Sequence, residues 1–186
     1  MTVSVMITTK NRLAELRQTW RALQGLNPPP LEVLITADGC TEDVVAAVKT
    51  ELPEARLFIN KIGLGSVASR DRMMRAAQGD LVLALDDDSY PEQSDCISCI
   101  VSLVEQRPNL AVLHFPQRTD EYPETLGQTD FGPERLTRTF PNSGAVLRRS
   151  TYLQLPGFES YFFPSCRRTP RATIRLKTFG RFRARL

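Results

Sequence analysis

Residues 81–92 read LVLALDDDSYPE, an apolar run that stops abruptly in Asp86, Asp87 and Asp88. A short, unbroken apolar run closed by turn residues is the pattern of a strand buried on both faces of a sheet. Three adjacent carboxylates at the end of such a strand raise one another's pKa and resist joint ionisation unless a cation relieves them. If strand alternation runs on through the cluster, Asp86 and Asp88 share one face and Asp87 takes the other. Two hard oxygen donors on one face suit Mg²⁺ or Mn²⁺. The plainer explanation is an acidic turn leading into a helix, with Asp or Ser as its N-cap. The rest of the chain decides between them.

Working outward, apolar runs alternate with helical patterns. VSVMI (3–7) is β-like, and LAELRQTWRALQ (13–24) sets Leu13, Leu16, Trp20 and Leu23 at helical spacing. Pro28, Pro29 and Pro30 then lead into LEVLIT. A helix over 42–52, the strand ARLFIN and a helix over 66–77 precede the aspartate strand. A helix over 92–106, the strand LAVLHF and the strand-to-helix stretch SGAVLRRS follow it. Strands alternating with helices predict an α/β fold, a single Rossmann-like domain with an open, mostly parallel central sheet. Residues 117–141 are polar and contain Pro123, Gly132 and Pro133, which predicts a long functional loop.

Ligands of parallel sheets bind beyond the carboxyl ends of the strands. Those ends are Thr8 to Arg12, Asp38-Gly39, Asn60-Lys61 and Asp86 to Asp88, all polar or charged. Four such edges in register favour one ligand crevice over four separate solvated turns. Lys10, Arg12, Lys61 and Arg70 are candidates to stand beside phosphate or base.

Composition removes several alternatives. With 186 residues and 41% hydrophobic content the chain suits one globular domain. No apolar stretch approaches the ~20 residues of a membrane-spanning helix, and the first residues lack the pattern of a secretory signal. A cytoplasmic protein is expected, with peripheral association at the inner face of a membrane as a second expectation. Cys40, Cys96, Cys99 and Cys166 are too scattered for a disulfide framework. Cys96 and Cys99 form a lone C-x-x-C, and His114 is the single histidine. Neither a zinc site nor a His-based triad is well supplied.

The net charge of +3 hides an asymmetry. Eight of the 24 Lys and Arg residues lie in 167–186, a stretch without acid, and the other 166 residues have a net charge of −5. Charge confined to one end of an otherwise acidic chain argues against nucleic-acid binding.

These residues in this order resemble the family 2 glycosyltransferases of the GT-A fold, enzymes that use nucleotide-sugars. The resemblance rests on ITTKNR (7–12), TADGCTED (36–43), the run from Asn60 to Glu92, and SGAVLRRSTYLQLPGFESYFF (143–163). It implies a nucleotide-sugar-binding domain over 1–163. It implies too that Thr8, Asn11 and Arg12 line the nucleotide pocket, that Asp38 contacts the base, and that Arg70 holds the nucleotide end. Asp86 and Asp88 match the D-x-D pattern, Asp86 near the ribose and Asp88 on Mg²⁺ or Mn²⁺, while Gly144 matches a small residue near the acceptor. The implied reaction is inverting transfer from a nucleoside diphosphate sugar, a UDP-sugar first, to a saccharide or lipid-linked acceptor.

The resemblance breaks after Phe163. An acidic cluster that supplies the general base is expected there, and the chain instead reads PSCRRTPRATIRLKTFGRFRARL. Glu159 matches a structural position of the turn and is no substitute, so no catalytic base is assigned. A truncation or frame change is expected to leave the C-terminal part incomplete, with 164–186 as an unmatched basic tail and transfer impaired. A silent nucleotide-binding remnant is the alternative. A nucleotidyltransferase ranks below it, because ITTKNR lacks the Gly-rich turn of that class.

Overall fold

The computed structural model describes residues 1–119, 122–126 and 140–157, together with the backbone of 135–137, 174–176 and 182–184. Its order is β1 (Val3–Thr9), α1 (Leu13–Gln24), β2 (Glu32–Asp38), α2 (Glu42–Glu51), β3 (Arg56–Asn60), α3 (Ser66–Ala76), β4 (Leu81–Asp86) and β5 (Ser89–Pro91). There follow α4 (Cys96–Glu105), β6 (Val112–His114), β7 (Gln117–Thr119), β8 (Arg135–Thr137), β9 (Ala145–Arg148), α5 (Arg149–Leu153), β10 (Ile174–Leu176) and β11 (Phe182–Ala184).

Six strands form the main sheet in the order β3-β2-β1-β4-β9-β6. β1 lies parallel to β2 and β4, β2 parallel to β3, and β9 runs antiparallel between β4 and β6. The expected mostly parallel α/β sheet is borne out. Side chains alternate across it. Val3, Val5, Ile7, Leu83 and Leu85 face α1, α2 and α4, where Leu16, Trp20, Val48 and Ile100 close the larger core. Met6, Leu34, Val82 and Ala84 face the other way, under Met73 and Met74 of α3 and Tyr152 of α5. Each fully buried Leu or Ile contributes about 1.5–3 kcal/mol relative to exposure.

Three expectations change. Strand geometry does not run through the aspartates, because β4 ends at Asp86 and Asp87-Asp88 form a turn into β5. The helix expected from residue 92 begins at Cys96, after a bend and turn over 92–95. The stretch 117–141 is more than a connection: it contains β7, a 3₁₀ turn at Pro123–Thr125 and β8, with β7 pairing to β11 and β8 to β10. The aromatic turn after Gly157, with Glu159, and most of the basic tail lie outside the described residues.

Register fixes where the polar strand ends meet. Thr8 stands between Thr36 and Asp86, and Asp38 opposite Asn60. The carboxyl edge of the parallel strands therefore gathers residues from four separate segments.

Candidate functional site

A cleft of about 480 Å³ opens at that edge, lined by Thr8, Thr9, Lys10, Arg12, Asp38, Gly63, Leu64, Gly65, Ser66 and Asp87. Its first wall is the turn after β1. Asn11 there has φ 56°, in the left-handed region that asparagine tolerates better than most residues. Its side chain turns away from the cleft, and Oδ1 accepts the Thr41 N–H at 2.8 Å. The Cys40 Sγ accepts the Asn11 N–H and donates to the Thr9 carbonyl, each at 3.4 Å. Asn11 thus ties the β1 and β2 turns together and is absent from the lining. Cys40 joins the same two turns.

The aspartates form the second wall. Asp87 is buried, and its Oδ2 accepts the Thr9 hydroxyl at 2.8 Å while Oδ1 lies 3.3 Å from Arg12 Nη1. Arg12 Nη2 donates to Asp88 Oδ2 at 2.8 Å. Arg70, almost fully buried, pairs through Nη2 with Asp86 Oδ1. Burial pushes the Asp87 carboxyl up to about 6, and its neighbours Asp88 and Asp86 add to the rise against Thr9 and Arg12. Asp87 is thus the cluster member that lines the cleft. Asp86, whose side chain is 46% exposed, and Asp88 stand outside the lining.

Asp38 forms the third wall and is only 6% exposed. Its Oδ1 accepts from Asn60 Nδ2 at 2.7 Å and from the Leu64 N–H at 2.9 Å, and its Oδ2 from the Gly65 N–H at 2.8 Å. Burial works against ionisation, yet these bonds outweigh it and hold the carboxyl below its ordinary value. The loop can come this close because residue 39 is glycine. Gly39 has φ 68°, and a Cβ there would stand 2.7 Å from the Gly63 nitrogen.

A divalent cation fits this donor set in part. Among the described residues, no three His, Cys, Asp or Glu side chains gather as a metal-holding group. Asp86 and Asp88 each have one oxygen engaged by an arginine, and the other receives no hydrogen bond among the described residues. Mg²⁺ is ordinarily held by one or two carboxylates together with substrate phosphates, which is what such a pair offers. Arg70 Nε is buried with no hydrogen-bond partner, a donor left over on the arginine that pairs with Asp86.

Cys96 is buried and Cys99 half-buried in α4, both free thiols, and burial pushes Cys96 up to about 12. His114 is buried in β6, and burial lowers it to about 4. Gly144, with φ 73°, donates its N–H to the Ala84 carbonyl at 2.9 Å and so starts β9 against β4. Among the described residues no helix is long and apolar enough to cross a membrane.

The model of glycosyl transferase family 2 matches residues 4–169. An uncharacterized glycosyltransferase of Haemophilus influenzae is 27% identical over 118 residues, which cover 63% of this chain and 40% of that protein. The uncharacterized glycosyltransferase YwdF of Bacillus subtilis is 32% identical over 169 residues, covering 86% of this chain and 63% of that protein. The chain thus spans less than two thirds of the length of either relative.

Among solved structures, it is similar to the mannosyltransferase PcManGT from Pyrobaculum calidifontis in complex with GDP-Man and Mn²⁺. That likeness has a TM-score of 0.69 and 20% identity, over 86% of this chain and 48% of that one. It is also similar to S. aureus TarS 1-349 in complex with UDP-GlcNAc, at TM-score 0.74 and 14% identity over 100% of this chain and 59% of that one. At these identities the likeness shows the fold, and the expected GT-A-like architecture is borne out.

Proposed function

The chain belongs to glycosyl transferase family 2, and from that premise we propose that it binds a nucleoside diphosphate sugar in the cleft and transfers the sugar to an acceptor hydroxyl. The observation that carries this reading is the meeting of Lys10 and Arg12 with Asp38 and Asp87 around one cleft at the carboxyl edge of the sheet. The two cations suit a diphosphate, and the carboxylates and loop backbone suit a sugar nucleotide's polar edges. A UDP-sugar is the first donor to test, since the resemblance implies it, and GDP is the second, since PcManGT was solved with GDP-Man.

In this reading Lys10 and Arg12 stand beside the leaving diphosphate, and Arg12 keeps Asp87 and Asp88 in place while it does so. Asp86 and Asp88 would hold Mg²⁺ or Mn²⁺, which when bound supplies charge stabilisation to the departing nucleotide. The nucleotide-binding unit is proposed to run over 1–163, with a saccharide or lipid-linked acceptor approaching from the side of Gly144. Inversion at the anomeric carbon follows the family resemblance.

Catalytic silence is a second reading, favoured by Arg167 and Arg168, which stand where the resemblance expects an acidic cluster. General-base catalysis is typically worth ~10²–10⁴-fold, so a chain lacking the base would bind donor yet transfer poorly.

Calorimetry with UDP and GDP, each in Mn²⁺ and in EDTA, tests the binding. Heats that are the same in EDTA and Mn²⁺ would remove the metal, and no heat with either nucleotide would remove the donor site. An assay of sugar release and transfer over a panel of acceptors then separates an enzyme from a binding remnant.

A further inference from the structure

The peptide of Asp86 is held by hydroxyls, in a place where a neighbouring strand would ordinarily hold it. The register of β4 with β9 ends at Ala84 and Ala145, so no β9 residue stands opposite Asp86. An N–H without a ladder partner takes a side-chain acceptor or water. Two serines accept this one, Ser89 Oγ at 2.9 Å and Ser143 Oγ at 3.2 Å. The Ser89 hydroxyl also lies 3.3 Å from the Asp86 carbonyl, and the two hydroxyls bond each other. Ser143 is itself held, since His114, buried in β6, bonds its backbone.

Both serines are buried, Ser89 at 0% and Ser143 at 5% exposure. Every hydrogen bond of their hydroxyls goes to the other hydroxyl or to the Asp86 peptide. The Asp86 carboxylate is in the opposite situation, 46% exposed with one oxygen paired to Arg70. A fixed peptide thus carries a carboxylate that is open to solvent. Mg²⁺ demands near-ideal octahedral geometry, and groups that orient a ligating carboxylate matter nearly as much as the ligand itself. We propose that Ser89 and Ser143 are positioning residues for the divalent cation: by fixing the Asp86 peptide they set the direction from which its carboxylate meets the metal. This rests on the donor and cation reading given above and extends it to two residues that touch neither nucleotide nor metal.

The test measures UDP affinity in Mn²⁺ and in EDTA, and reads their ratio beside a thermal melt. Ser89→Ala and Ser143→Ala are each expected to lower the ratio about threefold, since one hydroxyl remains on the N–H, and the double variant about tenfold. Affinity in EDTA is expected to stay the same in all three. In the Asp86→Asn background the double change is expected to add less than twofold, the signature of residues acting through another. Val146→Ala, in the core beneath β9, is expected to lower the melting temperature and leave the ratio unchanged. Equal losses in Mn²⁺ and EDTA, or an unchanged ratio in both single variants, would overturn the positioning role. So would a ratio that falls equally in Val146→Ala, or effects that multiply fully with Asp86→Asn. The single variants decide the matter if the double variant fails to fold. A wild-type ratio of one would overturn the cation reading beneath the inference, and no binding of UDP or GDP by the wild-type protein would overturn the donor reading.

Discussion

Arg12 reaches Asp88 across 76 positions of chain, with Nη2 donating to Oδ2 at 2.8 Å, while Nη1 of the same guanidinium lies 3.3 Å from Asp87. One planar fork therefore serves two adjacent carboxylates, a geometry that an ammonium cannot reproduce. Arg12→Ala is expected to cost about 1–2 kcal/mol, at the low end for a charged hydrogen bond because the arginine is 39% exposed. Arg12→Lys is expected to recover less than half. Chemical denaturation at pH 7 measures both, and a lysine variant as stable as wild type would show that the fork is dispensable.

Asp87 and His114 impose opposite pH dependences. His114 is lowered from 6.5 to about 4, so the unfolded chain binds the extra proton in that window and stability falls as pH drops through it. Asp87 is raised from 3.8 to about 6, so the folded chain binds the extra proton and stability rises as pH drops from 6 towards 4. Each shift corresponds to about 3 kcal/mol at most. Asp87→Asn should therefore lose stability more steeply than wild type between pH 6.5 and 4.5, and His114→Gln should lose it less steeply. Parallel profiles for all three proteins would contradict both shifts.

Gly39→Ala tests the close approach of two loops. Its φ of 68° and the 2.7 Å separation from the Gly63 nitrogen both oppose a side chain. A non-glycine residue there is expected to cost about 1–3 kcal/mol and to weaken nucleotide binding, because the loop anchored on Asp38 is pushed away. Melting and calorimetry read the two effects. A fall in stability with undiminished affinity would separate the loop from the site.

Asp86→Asn and Asp88→Asn are expected to reduce the difference between nucleotide affinities in Mn²⁺ and in EDTA, each by about tenfold, equal to the 1.4 kcal/mol of a modest charged interaction. Asp87→Asn is expected to leave that difference largely intact, since its two oxygens are engaged by Thr9 and Arg12. A difference abolished only in Asp87→Asn would move the cation to the cleft-lining carboxylate.

The strands were legible because their signal is dense: Val3 to Ile7 (all but Ser4), Leu34-Ile35 and Leu81 to Leu85 are apolar and terminate in polar groups at one edge. Asp87 lines the cleft, against the alternation that turns it to the other face, for a physical reason. Period-two alternation describes a strand, and the chain leaves β4 one residue earlier, so the orientation of Asp87 is set by a turn and by Thr9, a residue of another strand. Asn11 was expected in the pocket, but its positive φ, which no periodicity reports, aims it at Thr41. No sequence pattern marks Leu64, a lone leucine in a glycine-flanked loop. Its place follows from Asp38 accepting a backbone N–H, a contact between loops that residue identities alone do not encode.

Thr9 with Asp87, and Arg12 with Asp88, are 78 and 76 positions apart and meet only because β1 lies beside β4. Contacts of that span close long loops and carry the loop-closure cost that goes with them. The cleft is therefore absent from any state in which those two strands are unpaired. A nucleotide that recognises the cleft can bind only the completed sheet, and at a hundredfold excess over its Kd it would add about 2.7 kcal/mol to that state. In a cell the donor would then act as a folding checkpoint, withdrawing finished molecules from the pool open to proteolysis.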